Sequence, residues 1–136
     1  AGKSEASRVT FNYDALKVFN EDKQMRSDWL IPICAGGERL KGDDGKKAHP
    51  TQKPEELVRK LVLASSNEGD IVLDPFSGAG TTLVVAEQLG RKWLGCDIKA
   101  QYNEWAIERL ERVQRKTKEE WLAFDRANEK RRNSIR

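Results

Sequence analysis

Residues 71–90 read Ile71-Val72-Leu73-Asp74-Pro75-Phe76-Ser77-Gly78-Ala79-Gly80-Thr81-Thr82-Leu83-Val84-Val85-Ala86-Glu87-Gln88-Leu89-Gly90, and this stretch decides the fold. Ile71-Val72-Leu73 is a short apolar run with β-branched members, which predicts a buried parallel strand. Leu83, Ala86 and Leu89 share one helical face, and Gly90 is a natural helix stop. The order is strand, glycine-rich turn, helix. Gly78 and Gly80 carry no Cβ to block close approach, and the turn is expected to leave backbone N–H groups at a helix N-terminus facing a cleft. A ligand is expected there, outside the carboxyl end of the strand.

The residues around the turn narrow the ligand. A dinucleotide fingerprint places a third glycine where Leu83 stands. A phosphate-binding P-loop needs a Lys after its last glycine, and Thr81 follows Gly80. The strand ends in an acid, Asp74, which would repel a pyrophosphate and attract a cation. S-adenosylmethionine, with an ammonium and a sulfonium, is a ligand of that kind. A plain tight corner between strand and helix is the alternative reading.

Arg91-Lys92-Trp93-Leu94-Gly95-Cys96-Asp97-Ile98 predicts a second strand, with Trp93, Leu94, Cys96 and Ile98 available for burial. It ends at Asp97, roughly 20 residues past the turn, where a doubly wound fold sets an acid on the ribose hydroxyls of an adenosine-type ligand. Asp97 also fits a cap for a helix starting near Ala100. Upstream, His49-Pro50-Thr51-Gln52-Lys53-Pro54-Glu55-Glu56-Leu57 leads into a helix. Pro54 suits its first turn, Glu55 and Glu56 complement its dipole, and Leu57, Leu61 and Ala64 form its expected buried stripe. The hydroxyl, amide and ammonium of Thr51, Gln52 and Lys53 exceed what a helix start requires. His49 is the single histidine, and no metal site is expected around it.

Taken together, H-P-T-Q-K-P, G-D-I-V-L-D-P-F-S-G-A-G-T-T, L-G-R-K-W-L-G-C-D-I and Y-N-E-W-A-I-E-R-L resemble the C-terminal, cofactor-binding part of β-group site-specific DNA amino-methyltransferases, which act on adenine N6 or cytosine N4. The resemblance covers about Asp28 to Leu110. It implies an α/β fold, a partial Rossmann-like S-adenosylmethionine-dependent methyltransferase fold with a short parallel sheet and flanking helices. It implies S-adenosyl-L-methionine as cofactor and DNA as substrate. Asp74, Phe76, Gly78 and Gly80 would line the methionine end and the adenine approach, with Pro75 and Ser77 in the same turn. Asp97, with Ile98 beside it, would hold the ribose. Thr51, Gln52 and Lys53 would close over the methionine part, and Thr81 and Thr82 would open the helix beneath it.

The chain has 136 residues, room for one domain with a modest core. Three regions are expected: an N-terminal extended segment and loop over 1–48, a cofactor-binding core over 49–116, and a basic helical tail over 117–136. Arg8–Tyr13 alternates like an edge strand, Ser27–Ile33 reads as strand or extended chain, and Ala35–Lys47 as a mobile loop whose Arg39, Lys41, Lys46 and Lys47 could meet phosphates or water. Gln101 to about Lys116 reads as one long helix. There is no membrane-spanning run and no signal-peptide pattern, so no membrane partner is expected. Cys34 and Cys96 lie far apart and suggest reduced thiols in a cytoplasm. A net charge of +3 is compatible with DNA without arguing for it.

One motif expected from the resemblance is absent. The family it resembles transfers to an exocyclic amine with a short motif of Asp, Asn or Ser, then two prolines, then Tyr, Phe or Trp. Pro32, Pro50, Pro54 and Pro75 are never adjacent. No catalytic residue is therefore assigned. The chain reads as the part of a DNA methyltransferase that supplies the cofactor site. The alternative is a non-catalytic cofactor-binding or partner-binding module, a truncated or split subunit inactive alone. Either way a short sheet with an open edge predicts self-association or a second chain that completes it.

Overall fold

The computed structural model describes residues 9–42, 45–48, 50–113 and 120. In chain order it contains α1 (Tyr13–Val18), a 3-10 turn (Gly36–Glu38), α2 (Glu55–Ser65), β1 (Ile71–Asp74), α3 (Thr81–Gln88), β2 (Lys92–Gly95) and α4 (Ala100–Glu111). β1 and β2 pair in parallel, with Val72 opposite Trp93 and Leu73 opposite Leu94. Parallel neighbours need a crossover, and α3 supplies it. Among the described residues the sheet has two strands, so each keeps one open edge.

One face of this sheet is covered. Val58 and Val62 of α2 meet Val85 of α3, with Val72 of β1 and Leu89 packed against them. α3 is buried on most sides, through Leu83, Val84, Val85 and Ala86. Burying such side chains contributes about 1.5–3 kcal/mol each, set against the chain entropy lost on folding. Gly95 shows how close the layers lie, because a Cβ there would sit 2.7 Å from Leu83 Cδ2. The end of α2 is held by side chains distant in sequence. Asn12 Nδ2 donates to the carbonyls of Leu63 and Ser66 at 2.9 and 2.8 Å, and Arg91 Nη2 donates to Ser66 O at 2.8 Å. These bonds satisfy carbonyls that the last helical turn leaves without a partner.

Among the described residues the other face is bare, and here the expected buried strands are corrected. Ile71 is 70% exposed, Leu73 64% and Leu94 62%. Side chains alternate along a strand, so these residues turn away from α2 and α3. Cys96 and Ile98, expected as burial candidates, are exposed as well, and so is Trp93, whose indole N–H donates to Glu87 Oε2 at 3.0 Å. The strand–turn–helix pattern is as expected, but nothing among the described residues covers its second face.

Further differences lie at the periphery. The buried stripe of α2 runs through Val58, Val62 and Ala64, while Leu61 is exposed. Val9–Asn12 forms no strand, and Tyr13 opens a helix. Ser27–Ile33 forms no strand. The loop after Cys34 carries a bridge between Lys41 and Lys47. α4 ends at Glu111. His49 and the tail from 117 onward, Glu120 excepted, lie outside the described residues.

Candidate functional site

The glycine turn is tied down by its own backbone. Asp74 ends β1, and its Oδ1 accepts from Phe76 N–H at 3.1 Å, a turn closed by the aspartate itself. Ser77 N–H donates to Cys96 O at 3.0 Å, which fastens the turn to the end of β2. Gly78 N–H donates to Asp97 Oδ2 at 3.0 Å, and Gly80 N–H to Ser77 O at 2.8 Å. The N–H groups of Phe76, Ser77, Gly78 and Gly80 are thus taken by protein acceptors. The open row of donors suggested by the sequence is not formed at these positions, and what the turn presents to a ligand is its shape. Gly80 caps α3 with φ near +74°, a left-handed conformation that glycine adopts without strain.

Asp97 stands behind the turn. Its Oδ1 accepts from Lys99 N–H at 3.0 Å, leading into α4. Asn103 holds it in place: Asp97 N–H donates to Asn103 Oδ1 at 2.9 Å, and Asn103 Nδ2 donates to Asp97 O at 2.8 Å. The N-cap of α4 is Lys99, with no side-chain cap bond, so the expectation that Asp97 caps this helix is corrected: Asp97 braces the turn that leads into it. The Asp97 carboxylate has lone pairs left after accepting two N–H groups.

A cavity of about 130 Å³ opens between this turn and the segment that precedes α2. Thr51, Gln52 and Lys53 form one wall. Asp74, Phe76, Ser77, Gly78, Ala79, Thr81 and Thr82 form the other. Pockets that enclose a drug-sized ligand run to about 300–1,000 Å³, so this one has room for only a portion of such a ligand. Pro75, Gly80, Asp97 and Ile98 do not line it. Pro75 is nonetheless part of the turn, and its carbonyl faces the Cys96 thiol at 3.6 Å. Ala79, between the two glycines, is the lining residue that sequence reasoning passed over.

The wall residues differ in what they have left to offer. Gln52 is buried, its Nε2 donates to Glu38 O at 2.7 Å, and its Oε1 accepts from Leu40 N–H at 3.0 Å. Its amide braces the 38–40 loop. Lys53 is exposed and brings a cation to the rim, facing the wall that carries Asp74. Ser77 is buried, and its hydroxyl has no hydrogen-bond partner among the described residues. An unsatisfied buried hydroxyl costs about 1–3 kcal/mol, and a ligand in the cavity that Ser77 lines is a natural partner for it.

Beneath the cavity lies an ionic cluster. Glu38 accepts the N–H of Glu55 at the start of α2. Burial, reinforced by the neighbouring Glu55 carboxylate, pushes the Glu38 carboxyl above its ordinary range, although the Glu55 N–H and the nearby Arg109 and Arg59 charges oppose this. Among the described residues no group of three His, Cys, Asp or Glu side chains is placed to hold a metal ion. No helix there is long and apolar enough to cross a membrane.

A family model described as DNA methylase, of the N6/N4 type, matches residues 2–109, a span that contains both walls of the cavity. The chain belongs to the DNA methylase family. It is 47% identical over 111 residues to the type II methyltransferase M.HinfI of Haemophilus influenzae, a match covering 82% of this chain and 31% of the relative. It is 45% identical over 105 residues to the type II methyltransferase M2.DpnII of Streptococcus pneumoniae, covering 77% and 37%. This DNA methylase chain therefore spans about a third of the length of the curated relatives it matches. Its fold matches the crystal structure of the M1.HpyAVI–SAM complex with a TM-score of 0.53 and 31% identity, over 79% of this chain and 46% of that one. The architecture is accordingly the α/β, Rossmann-like methyltransferase fold, present in part, with a short parallel sheet and flanking helices.

Proposed function

We propose that this chain supplies the S-adenosyl-L-methionine site of a DNA methyltransferase acting on the exocyclic amine of adenine or cytosine. The observation that carries the proposal is the small cavity at the carboxyl end of β1, walled by Thr51–Lys53 on one side and Asp74–Thr82 on the other, with the unsatisfied Ser77 hydroxyl in its wall. The ligand chemistry matches the walls. The amino-acid end of S-adenosylmethionine carries a carboxylate and an ammonium, complementary to Lys53 and Asp74. Glycine at 78 permits close approach, while Gly80, outside the cavity lining, makes room for Ala106 of α4. The rest of the molecule would lie outside the cavity, with its ribose toward Asp97, and the exposed Phe76 and Ile98 would offer apolar surface to its adenine. When bound, the cofactor supplies a methyl group on a positively charged sulfur.

The residues that accept hydrogen bonds from a target amine are not identifiable in this chain. We therefore assign it no transfer step alone, and a DNA base would be flipped into a pocket built largely by other polypeptide. The bare sheet face supports the same reading. Ile71, Leu73 and Leu94 form an apolar face suited to a covering layer, and the open edges can pair with a further strand, both of which a second chain or a second copy could supply. Free thiols at Cys34 and Cys96 suit a cytoplasmic setting. The alternative, a module that binds cofactor or partner without taking part in transfer, is favoured by one observation, the lack of adjacent prolines.

The deciding experiment measures binding of S-adenosylmethionine and transfer of its labelled methyl group to unmethylated DNA in one sample of this chain. Binding without transfer is the expected result. Transfer would mean that amine acceptors are present in an unrecognised form, with Asp74 examined first. Absence of binding would remove the cofactor site.

A further inference from the structure

We infer that Arg109, which does not line the cavity, is a positioning residue that sets the distance between its two walls. Arg109 lies on α4 with its side chain 11% exposed. Its Nη1 donates to Ala79 O at 2.6 Å and to Thr81 Oγ1 at 3.2 Å, both in the glycine-turn wall. Its Nη2 donates to Glu55 Oε1 at 2.8 Å. Glu55 begins α2 and follows Lys53 by two residues, so it anchors the opposite wall. One planar guanidinium therefore joins both walls from behind. Glu55 is itself fixed, because its Oε2 accepts from Gln88 Nε2 at 3.3 Å and its N–H is held by the Glu38 carboxylate.

A pair that served stability alone would need only the two charges. The bond to the Ala79 carbonyl is different in kind, because Ala79 lies in the wall and its peptide joins Gly80. Turning that carbonyl would rotate the backbone on which the ligand rests. Arginine is suited to the task because its donors are set in a rigid fork, whereas a lysine ammonium offers a point charge. The inference rests on the cofactor-site reading above, and its test separates the two.

The experiment titrates S-adenosylmethionine into the full chain and into Arg109→Lys, Arg109→Met and Glu55→Gln, with thermal unfolding of each. Arg109→Lys is the informative variant, since it keeps a charge for Glu55 and loses the fork. The expected result is a melting temperature near that of the unsubstituted chain with a dissociation constant raised about tenfold, and a larger loss in Arg109→Met. Amide hydrogen exchange without ligand is the second measurement. Exchange should quicken at Ala79–Thr81 and at Thr51–Lys53 together in Arg109→Lys. Unchanged affinity in Arg109→Lys would overturn the inference, as would binding losses that vanish once the folded fraction is counted. If the unsubstituted chain binds no S-adenosylmethionine, the cofactor reading fails. The exchange data then decide the inference alone, since unchanged exchange at either wall would overturn it.

Discussion

Ser77 in the turn and Asp97 behind it show how single side chains divide their duties. The Ser77 hydroxyl is buried without a partner. Ser77→Ala should therefore raise the stability of the ligand-free chain by about 1 kcal/mol and weaken S-adenosylmethionine binding about fivefold, as read by thermal unfolding and calorimetry. A loss of stability would mean that the hydroxyl has a partner after all. Asp97 has the opposite balance, since it already accepts from Gly78 and Lys99 and is proposed to accept from the ribose as well. Asp97→Ala should raise the dissociation constant at least about tenfold, and an unaltered value would take Asp97 out of the site. Neither detail could be read from the sequence. A serine's lack of a partner and an aspartate's bond across 19 positions are products of the folded chain.

At the scale of elements, the glycine turn is where α3 and α4 touch. A Cβ on Gly80 would lie 2.5 Å from Ala106 Cβ, on a backbone with φ near +74°. Gly80→Ala should cost about 2–4 kcal/mol, combining left-handed strain with overpacking. Gly69→Ala provides a control at φ near +84° with nothing within 4 Å, and should cost about 1 kcal/mol. Denaturant midpoints compare the two, and equal losses would show that Ala106 yields. Strand, turn and helix were legible because glycine positions, apolar run and helical period all pointed the same way over 71–90. The stripe of α2 was not. Leu57 and Leu61 repeat with the same spacing as Val58 and Val62, so period gives the spacing but not the phase. The phase is set by packing on α3, to which α2 contributes Val58 and Val62. Arg109 was legible only as a helical position, because its partners lie 30 and 54 residues away.

At the scale of the whole fold, one half of a layered arrangement is in place among the described residues. α2 and α3 cover one face of the sheet, and Ile71, Leu73 and Leu94 line the other. Burial of β1 was misjudged for this reason, since an apolar run states what a strand can bury and not whether a covering layer is at hand. If that face is an association surface, the chain should sediment above its 15.5 kDa monomer mass at micromolar concentration. The double substitution Leu73→Asp with Leu94→Asp should return it to monomer, since each carboxylate would need costly desolvation in an interface. A monomer before substitution would count against association.

The bare face also bears on supply. A fold whose apolar surface is covered only in a complex gains stability by mass action, about 1.4 kcal/mol for each tenfold excess of its cover beyond half-saturation. Melting temperature then becomes a property of the mixture. If the cover is a second polypeptide, its supply sets how much complex persists, and copies of this chain left without it would be the more open to proteases. Dosage of two such components would then be matched by degradation, without any dedicated regulator.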